Sequence, residues 1–213
     1  DAAIFAKYRH ELSDRYEKLL ADHGISHVPI AYRKILASEG SDRGKCNIHF
    51  SKDAFDEVRR QGNCCAISLD ISDYFETLDH SKIKDMWQRL LGVSYLPNDH
   101  YAVFKAITRY AIVDRDQMYR RLGYLKDVPR GNATVREYTR PYNRMPLKLC
   151  TAYEFRAYVA GDATGYTSII KKNDCPYGIP QGAPISDLIA NFYLFDFDRT
   201  VESFVRDRGG YYV

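Results

Sequence analysis

Four carboxylates crowd one short stretch, residues 66–80, AISLDISDYFETLDH: Asp70, Asp73, Glu76 and Asp79. The stretch follows the breaker pair Gly62-Asn63 and opens with Ala66-Ile67-Ser68-Leu69, which is short, apolar and β-compatible. Asp70 then falls at the end of the expected strand. A carboxylate at the end of a buried strand is expensive unless a cation meets it, and a strand end can present one rigid carboxylate to a metal. A plainer reading is open as well. A strand can run into a helix whose first turn is acidic, which the helix dipole favours.

A second stretch, residues 177–194, reads YGIPQGAPISDLIANFYL. Gly178, Pro180, Gly182 and Pro184 alternate, so the backbone shape is specified repeatedly within a few residues. A helix is expected from Ser186-Asp187, with Leu188, Ile189, Phe192 and Phe195 as its apolar stripe. Gln181 sits at the tip of the turn without a local structural task. Taken alone, the stretch also fits a rigid loop capping a core helix.

Together, DISDYFETLDH and GIPQGAPISDLIANFYL resemble the first palm motif and the PQG motif of reverse transcriptases, in the right order. The resemblance covers residues 33–213 and is weak before them. The final Gly209-Gly210-Tyr211-Tyr212-Val213 resembles the strand that leads into that family's Tyr-x-Asp-Asp turn. On this resemblance the chain is expected to stop just before the paired aspartates, and to be inert by itself. The implied fold is α+β: right-hand polymerase fingers and palm, an antiparallel palm sheet with packed helices, truncated before the thumb. The implied division is an N-terminal helix and fingers over 1–62, palm over 63–92, a helical and basic insertion over 93–175, and the second part of the palm over 176–213.

The resemblance also assigns roles. Asp70 is the first catalytic metal ligand, with the Ile71 carbonyl beside the second metal. The cofactor is Mg²⁺ in a two-metal arrangement, with Mn²⁺ as a substitute. Asp73 and Tyr74 lie near the incoming triphosphate, Asp73 through its backbone. Phe75 falls at the sugar gate, where a ring excludes a ribose 2′-hydroxyl. It equally suits a core aromatic at a helix start. Gln181 packs against the nucleotide or its template partner, and Gly182 allows close backbone approach. Arg33 and Lys34 match cations in the fingers that hold a triphosphate, and also suit a solvated pair.

The elements that must position these residues read as follows. Residues 2–22 form an amphipathic helix, with Ile4, Phe5, Tyr8, Leu12, Tyr16 and Leu19 at helical spacing. Residues 32–35 look strand-like, and 39–45 a hairpin tip or loop. Residues 47–60 begin strand-like and turn helical, with Ser51 or Asp53 as cap and Phe55 and Val58 inward. Helices are expected at 81–91 and 99–110. In the segment 115–148 cations far outnumber acids, and Tyr119, Tyr124, Tyr138 and Tyr142 are interleaved. Gly131-Asn132 and Pro141 argue for irregular structure there. Cations along a backbone and rings on bases suit single-stranded nucleic acid, so Arg120, Arg121, Arg130, Arg136 and Arg140 are candidate contacts, as are Lys171 and Lys172 before the PQG motif. A solvated basic face is the rival. A short helix at 150–159, the loop 161–165 and a strand-like stretch precede those lysines.

Composition narrows the field without choosing within it. The chain has 213 residues and a net charge of +3, which does not by itself indicate nucleic acid. No apolar run is long enough to cross a membrane. Five cysteines lack zinc-site spacing and fit reduced, mostly buried thiols of a cytoplasmic protein. His80 reads as a helix-start residue. The insertion and the block YRKI…NIHFSKDAF make the chain most similar to bacterial defence-associated reverse transcriptases, more than to group II intron or retron enzymes. That similarity implies dNTPs as substrates, a DNA product and a structured noncoding RNA as template or scaffold. The oligomeric state is left open, a homo-oligomer included. Two rivals stand beside this reading: an inactive polymerase-like protein that binds RNA, and an RNA-directed RNA polymerase, against which Phe75 argues.

Overall fold

The computed structural model describes residues 2–37, 42–163 and 165–213. Part of the loop expected at 39–45, and one residue of the loop at 161–165, lie outside the described residues. The chain is α+β and divides into two compact units, residues 1–108 with 175–213, and residues 109–174. The second unit falls inside the segment 93–175; the helix at Asn98–Thr108 belongs to the first. No helix among the described residues is long and apolar enough to cross a membrane.

The first unit is helical. Helix α1 (Ala2–Asp22) buries Tyr8, Leu12, Tyr16 and Leu20, an unbroken i, i+4 series. Ile4, expected on that face, is exposed, while Phe5 beside it packs against the core. Helix α2 (Asn47–Gln61) starts directly after Cys46 and buries no residue. The extended start, the Ser51 or Asp53 cap and the inward Phe55 and Val58 are all corrected here. Cys46 and His49 form a reciprocal cap that starts the helix earlier, Asp53 pairs with Lys45 at 2.6 Å, and Phe55 and Val58 face solvent. The four-residue α3 (Tyr74–Thr77) leads into α4 (His80–Leu91). Asp79 caps α4 by accepting from the Lys82 amide at 2.9 Å, and Gly92 closes it in the left-handed region. Helix α5 is Asn98–Thr108.

These helices form one core with two later ones, α8 (Ser186–Tyr193) and α9 (Phe195–Arg206). At its centre is Trp87, fully buried, with His100, Phe104 and Phe192 edge-on to its indole. The Trp87 Nε1–H donates to His100 Nδ1 at 3.2 Å. Leu188, Ile189 and Phe192 are buried on α8 as their spacing requires, whereas Phe195, expected on the same helix, is buried at the start of α9 after the turn at Leu194. Arg9 of α1 meets Asp187, in the first turn of α8, with Nε at 3.1 Å and Nη2 at 2.9 Å. A forked pair of this kind fixes direction as well as distance.

Helix α9 carries two acids inward. Glu202 is buried but accepts from Arg206 at 2.9 Å. Asp198 is buried and its carboxyl is pushed above the usual range by loss of solvent, with a hydrogen bond from the Tyr212 hydroxyl opposing the shift. A carboxyl whose folded value is raised binds its proton more tightly in the folded state. Stability therefore falls as pH rises from the ordinary value near 3.8 through the raised one. Asp198→Asn should melt above the wild type at pH 7.5, with the difference vanishing below about pH 3.8. An unchanged difference at both pH values would mean that Asp198 is not the titrating group.

The second unit contains both small sheets among the described residues. Strand β1 (Ala111–Val113) pairs antiparallel with β4 (Ile170–Lys172), Ala111 opposite Lys172. Helix α6 (Arg115–Arg121) is capped by Asp114, which accepts from the Gln117 amide at 2.7 Å. Strands β2 (Leu125–Arg130) and β3 (Ala133–Tyr138) form a hairpin whose two-residue turn is Gly131-Asn132. The irregular structure expected over 115–148 is thus corrected over these elements: the Gly-Asn pair is a tight hairpin turn, which fixes strand register instead of ending structure. The unit continues through α7 (Ala152–Glu154) into a π-helical turn, Phe155–Ala160.

Candidate active site

The two motif stretches lie about a hundred residues apart in sequence and side by side in the first unit. The Ile179 amide donates to the Phe75 carbonyl and the Gly178 amide to the Leu78 carbonyl, both at 2.8 Å. The His80 amide donates to Pro176 at 2.9 Å, and Asp79 and Tyr177 form an antiparallel bridge. His80 Nε2 lies 2.7 Å from the Gly178 carbonyl, which assigns the ring proton to Nε2. His80 is thus a structural residue at the start of α4. Side chains extend the same lacing. Tyr74 donates to the Ala190 carbonyl at 2.6 Å, the Tyr193 hydroxyl accepts from the Asp79 amide at 3.3 Å, and Ser186 donates to the Pro180 carbonyl at 2.6 Å. Burial pushes the Tyr74 phenol up, so it stays a hydrogen-bond donor at every ordinary pH.

Two backbone positions shape this block. Asp73 sits in the left-handed region, φ 51°, and turns the extended chain before it into α3. Aspartate tolerates that region better than most residues. Gly182 has φ 91° with open space around it, so conformation, and not crowding, calls for glycine. Gln181 and Gly182 are exposed at the turn. Phe75 is half-buried against the helical core, with Tyr74 edge-on at 5.8 Å.

Upstream of Asp73 the expectation of a strand at 66–69 is corrected. Residues 66–69 carry no strand; Ile67 is 78% and Leu69 84% exposed. The closing 211–213, also expected as a strand, is irregular too. A strand exists only through a ladder partner. Between these segments lies an open cleft of about 720 Å³, with α2 along it. The antiparallel palm sheet is therefore not formed among the described residues. Asp70 and Ile71 are exposed at the end of the unpaired segment.

A hard divalent cation needs several oxygen ligands. Asp70 and the Ile71 carbonyl could supply two, and the described residues assemble no group of three or more acidic, His or Cys side chains.

The two fingers cations part company. The Arg33 guanidinium is turned inward. It forks onto Glu17 at 2.8 and 2.5 Å, and Nη1 donates to the Ser26 and Pro29 carbonyls at 2.8 and 2.6 Å. It braces the loop that Tyr32, at φ 59°, turns. This loop replaces the strand expected at 32–35. Lys34 is exposed.

In the second unit the basic residues also separate. Arg120 forks onto Asp127 at 2.9 and 3.2 Å, Arg136 meets Asp116 at 2.7 Å, and Arg121 donates to the Tyr158 carbonyl at 2.8 Å. Arg130, Arg140, Lys171 and Lys172 are exposed. Tyr124 and Tyr138 each pack edge-on against the buried Tyr119, so these rings hold one another. Tyr142 is exposed. The cysteines are corrected as well: Cys46, Cys64, Cys65 and Cys175 are exposed and Cys150 is half-buried.

Tyr193, Ala190 and the Arg9–Asp187 fork escaped the reading of the sequence. Tyr193 directly follows the apolar stripe of α8, and a tyrosine there needs a polar partner for its hydroxyl, which was the available signal. Compared with known protein families and with curated proteins, the chain matches no family model and no curated protein.

Proposed function

We propose that this chain is the fingers and part of the palm of an RNA-directed DNA polymerase that adds deoxynucleotides by metal-assisted nucleotidyl transfer. The observation that supports the reading is the lacing of residues 75–80 to residues 176–180 by backbone hydrogen bonds. Two stretches that resemble polymerase motifs separately would need such a shared frame to act on one nucleotide. Positioning dominates this chemistry, and a backbone frame positions better than side chains alone. Asp70 is exposed on the segment that leads into that frame, and Gln181 and Gly182 stand at an exposed turn of it. Mg²⁺, when bound, would acidify the primer 3′-hydroxyl and neutralise developing phosphate charge. Lys34, rather than the internally engaged Arg33, is the fingers cation that remains available to a triphosphate. In the second unit, the exposed Arg130, Arg140, Lys171 and Lys172 are the cations assigned to template or primer phosphates. A structured noncoding RNA as template and a role in antiphage defence extend the same reading.

The test is nucleotide addition by the intact protein purified with its bound nucleic acid, given Mg²⁺ and labelled dNTPs or NTPs. DNA product and one enriched RNA are expected. Absence of product while a specific RNA stays bound would sink the catalytic reading in favour of an RNA-binding scaffold. Phe75 offers a sharper measure. If its ring stands under the sugar, Phe75→Val should raise the relative kcat/KM for ribonucleotides on the order of 10–100-fold. Unchanged discrimination in a variant of normal stability would return Phe75 to the core.

A further inference from the structure

Asp198 is a buried carboxyl without a cation. Glu202, one turn further along α9, has Arg206; among the described residues Asp198 has no ion pair and one hydrogen-bond partner, the Tyr212 hydroxyl at 2.8 Å. Its electrostatic neighbours are phenols on other elements: Tyr16 of α1, Tyr74 of α3 and Tyr212 of the closing segment. The Tyr16 hydroxyl is itself buried with no hydrogen-bond partner among the described residues. A buried acceptor with a single donor holds that donor tightly, because losing it exposes the full desolvation penalty.

The donor here belongs to the segment that follows α9. After α9 the chain turns through Gly209, φ 73°. The Gly209 amide donates to Arg206 and the Gly210 amide to Val205, both at 2.9 Å. Gly210 passes so close to α9 that a Cβ there would lie 2.7 Å from Val205 Cγ1. Gln61 of α2 reaches the Gly209 carbonyl at 3.0 Å. Beyond that, Tyr212 points inward to Asp198 while Tyr211 and Val213 stay exposed along the cleft opposite residues 64–69.

We propose that the Asp198–Tyr212 hydrogen bond is a latch that fixes residues 211–213 as one rigid wall of this cleft, and that both are positioning residues for the reaction. The second half of the proposal rests on the polymerase reading; the first does not. Tyr212 is turned toward Asp198 while its neighbours Tyr211 and Val213 line the cleft. Seating Tyr212 therefore sets Tyr211 and Val213 toward the cleft, and release of Tyr212 frees the orientation of all three.

The test uses the intact protein and two readouts. Hydrogen exchange of the peptide over 204–213 reports the latch. Tyr212→Phe keeps the ring and removes the donor, and should speed exchange at Gly209 and Gly210 at least tenfold while α4 amides keep wild-type rates. Asp198→Asn keeps an acceptor and should restore near-wild-type exchange, whereas Asp198→Leu should match Tyr212→Phe. Nucleotide addition reports positioning: kcat should fall at least tenfold in Tyr212→Phe with KM for the nucleotide within twofold, and Asp198→Asn should retain most of it. Unchanged exchange in both Tyr212→Phe and Asp198→Leu overturns the latch. Faster exchange with unchanged kcat overturns the positioning role. An inactive wild type whose Tyr212→Phe form still exchanges faster would defeat the polymerase reading and leave the latch standing.

Discussion

Asp70→Asn is expected to lower nucleotide addition by the intact protein at least about a thousandfold, in line with losing a group that holds or neutralises charge at the reacting centre. The same substitution should leave unfolding within about 0.5 kcal/mol of wild type, because exposed positions without a structural task respond that weakly. The two halves belong together. Asp70 lies on an exposed segment outside the helical core, so a loss of activity cannot be charged to a loss of fold. Asparagine matches the carboxylate in shape but carries no charge and is a poorer ligand for a hard cation. Activity retained in Asp70→Asn would remove the polymerase proposal altogether. Activity and stability lost together would show that Asp70 has a structural partner.

Trp87→Ala should destabilise the first unit by about 3–5 kcal/mol from the cavity alone. The indole is fully buried and touches His100, Phe104 and Phe192, which come from two other helices. Its loss also strips the buried His100 Nδ1 of its donor, a further cost of about 1–3 kcal/mol. Against a total of about 5–15 kcal/mol for a domain, the variant is expected to be largely unfolded at 37 °C. Circular dichroism melts would read this, since the variant lacks the chain's single tryptophan. Trp87→Phe should lose less, because it keeps an aromatic ring in the same site. A melt of Trp87→Ala within a few degrees of wild type would mean that the core can collapse around the gap.

What was legible in the sequence depends on where each residue finds its partners. Helix α8 was readable because its stripe and its Ser186-Asp187 start lie within a few turns. Helices α1, α4 and α5 were readable for the same reason, although the α1 register belongs to Leu20 more than to Leu19. Residues 66–69 misled because a strand pattern states only a preference, and pairing must come from elsewhere in space. Phe55 and Val58 misled in the same way: a helical stripe was correctly spaced, but no element covers it among the described residues. The hairpin at 125–138 is hard to read because Gly131-Asn132 suits a break in structure as well as the tight turn that two such residues make between paired strands.

Within the candidate site, Asp73, Tyr74, Gln181 and Gly182 were visible as motif residues. The lacing that joins their segments was not, since main-chain hydrogen bonds leave no trace in residue type. Arg33 shows the opposite limit. Its neighbourhood suggested a phosphate ligand, and only the positions of Glu17, Ser26 and Pro29 reveal that its donors are already engaged.

The divided first unit bears on how the chain is made. Trp87 is synthesised well before Phe192, and all of residues 109–174 come between them. At ribosomal rates of about 5–20 residues per second, α1, α4 and α5 wait on the order of several seconds with the face that α8 and α9 cover left open. During that interval the insertion can close its own neck, because β1 and β4 sit at its two ends and pair with each other. Nascent chains halted before α8 should therefore be prime clients for holding chaperones, and chains long enough for both α8 and α9 to have left the ribosome should not.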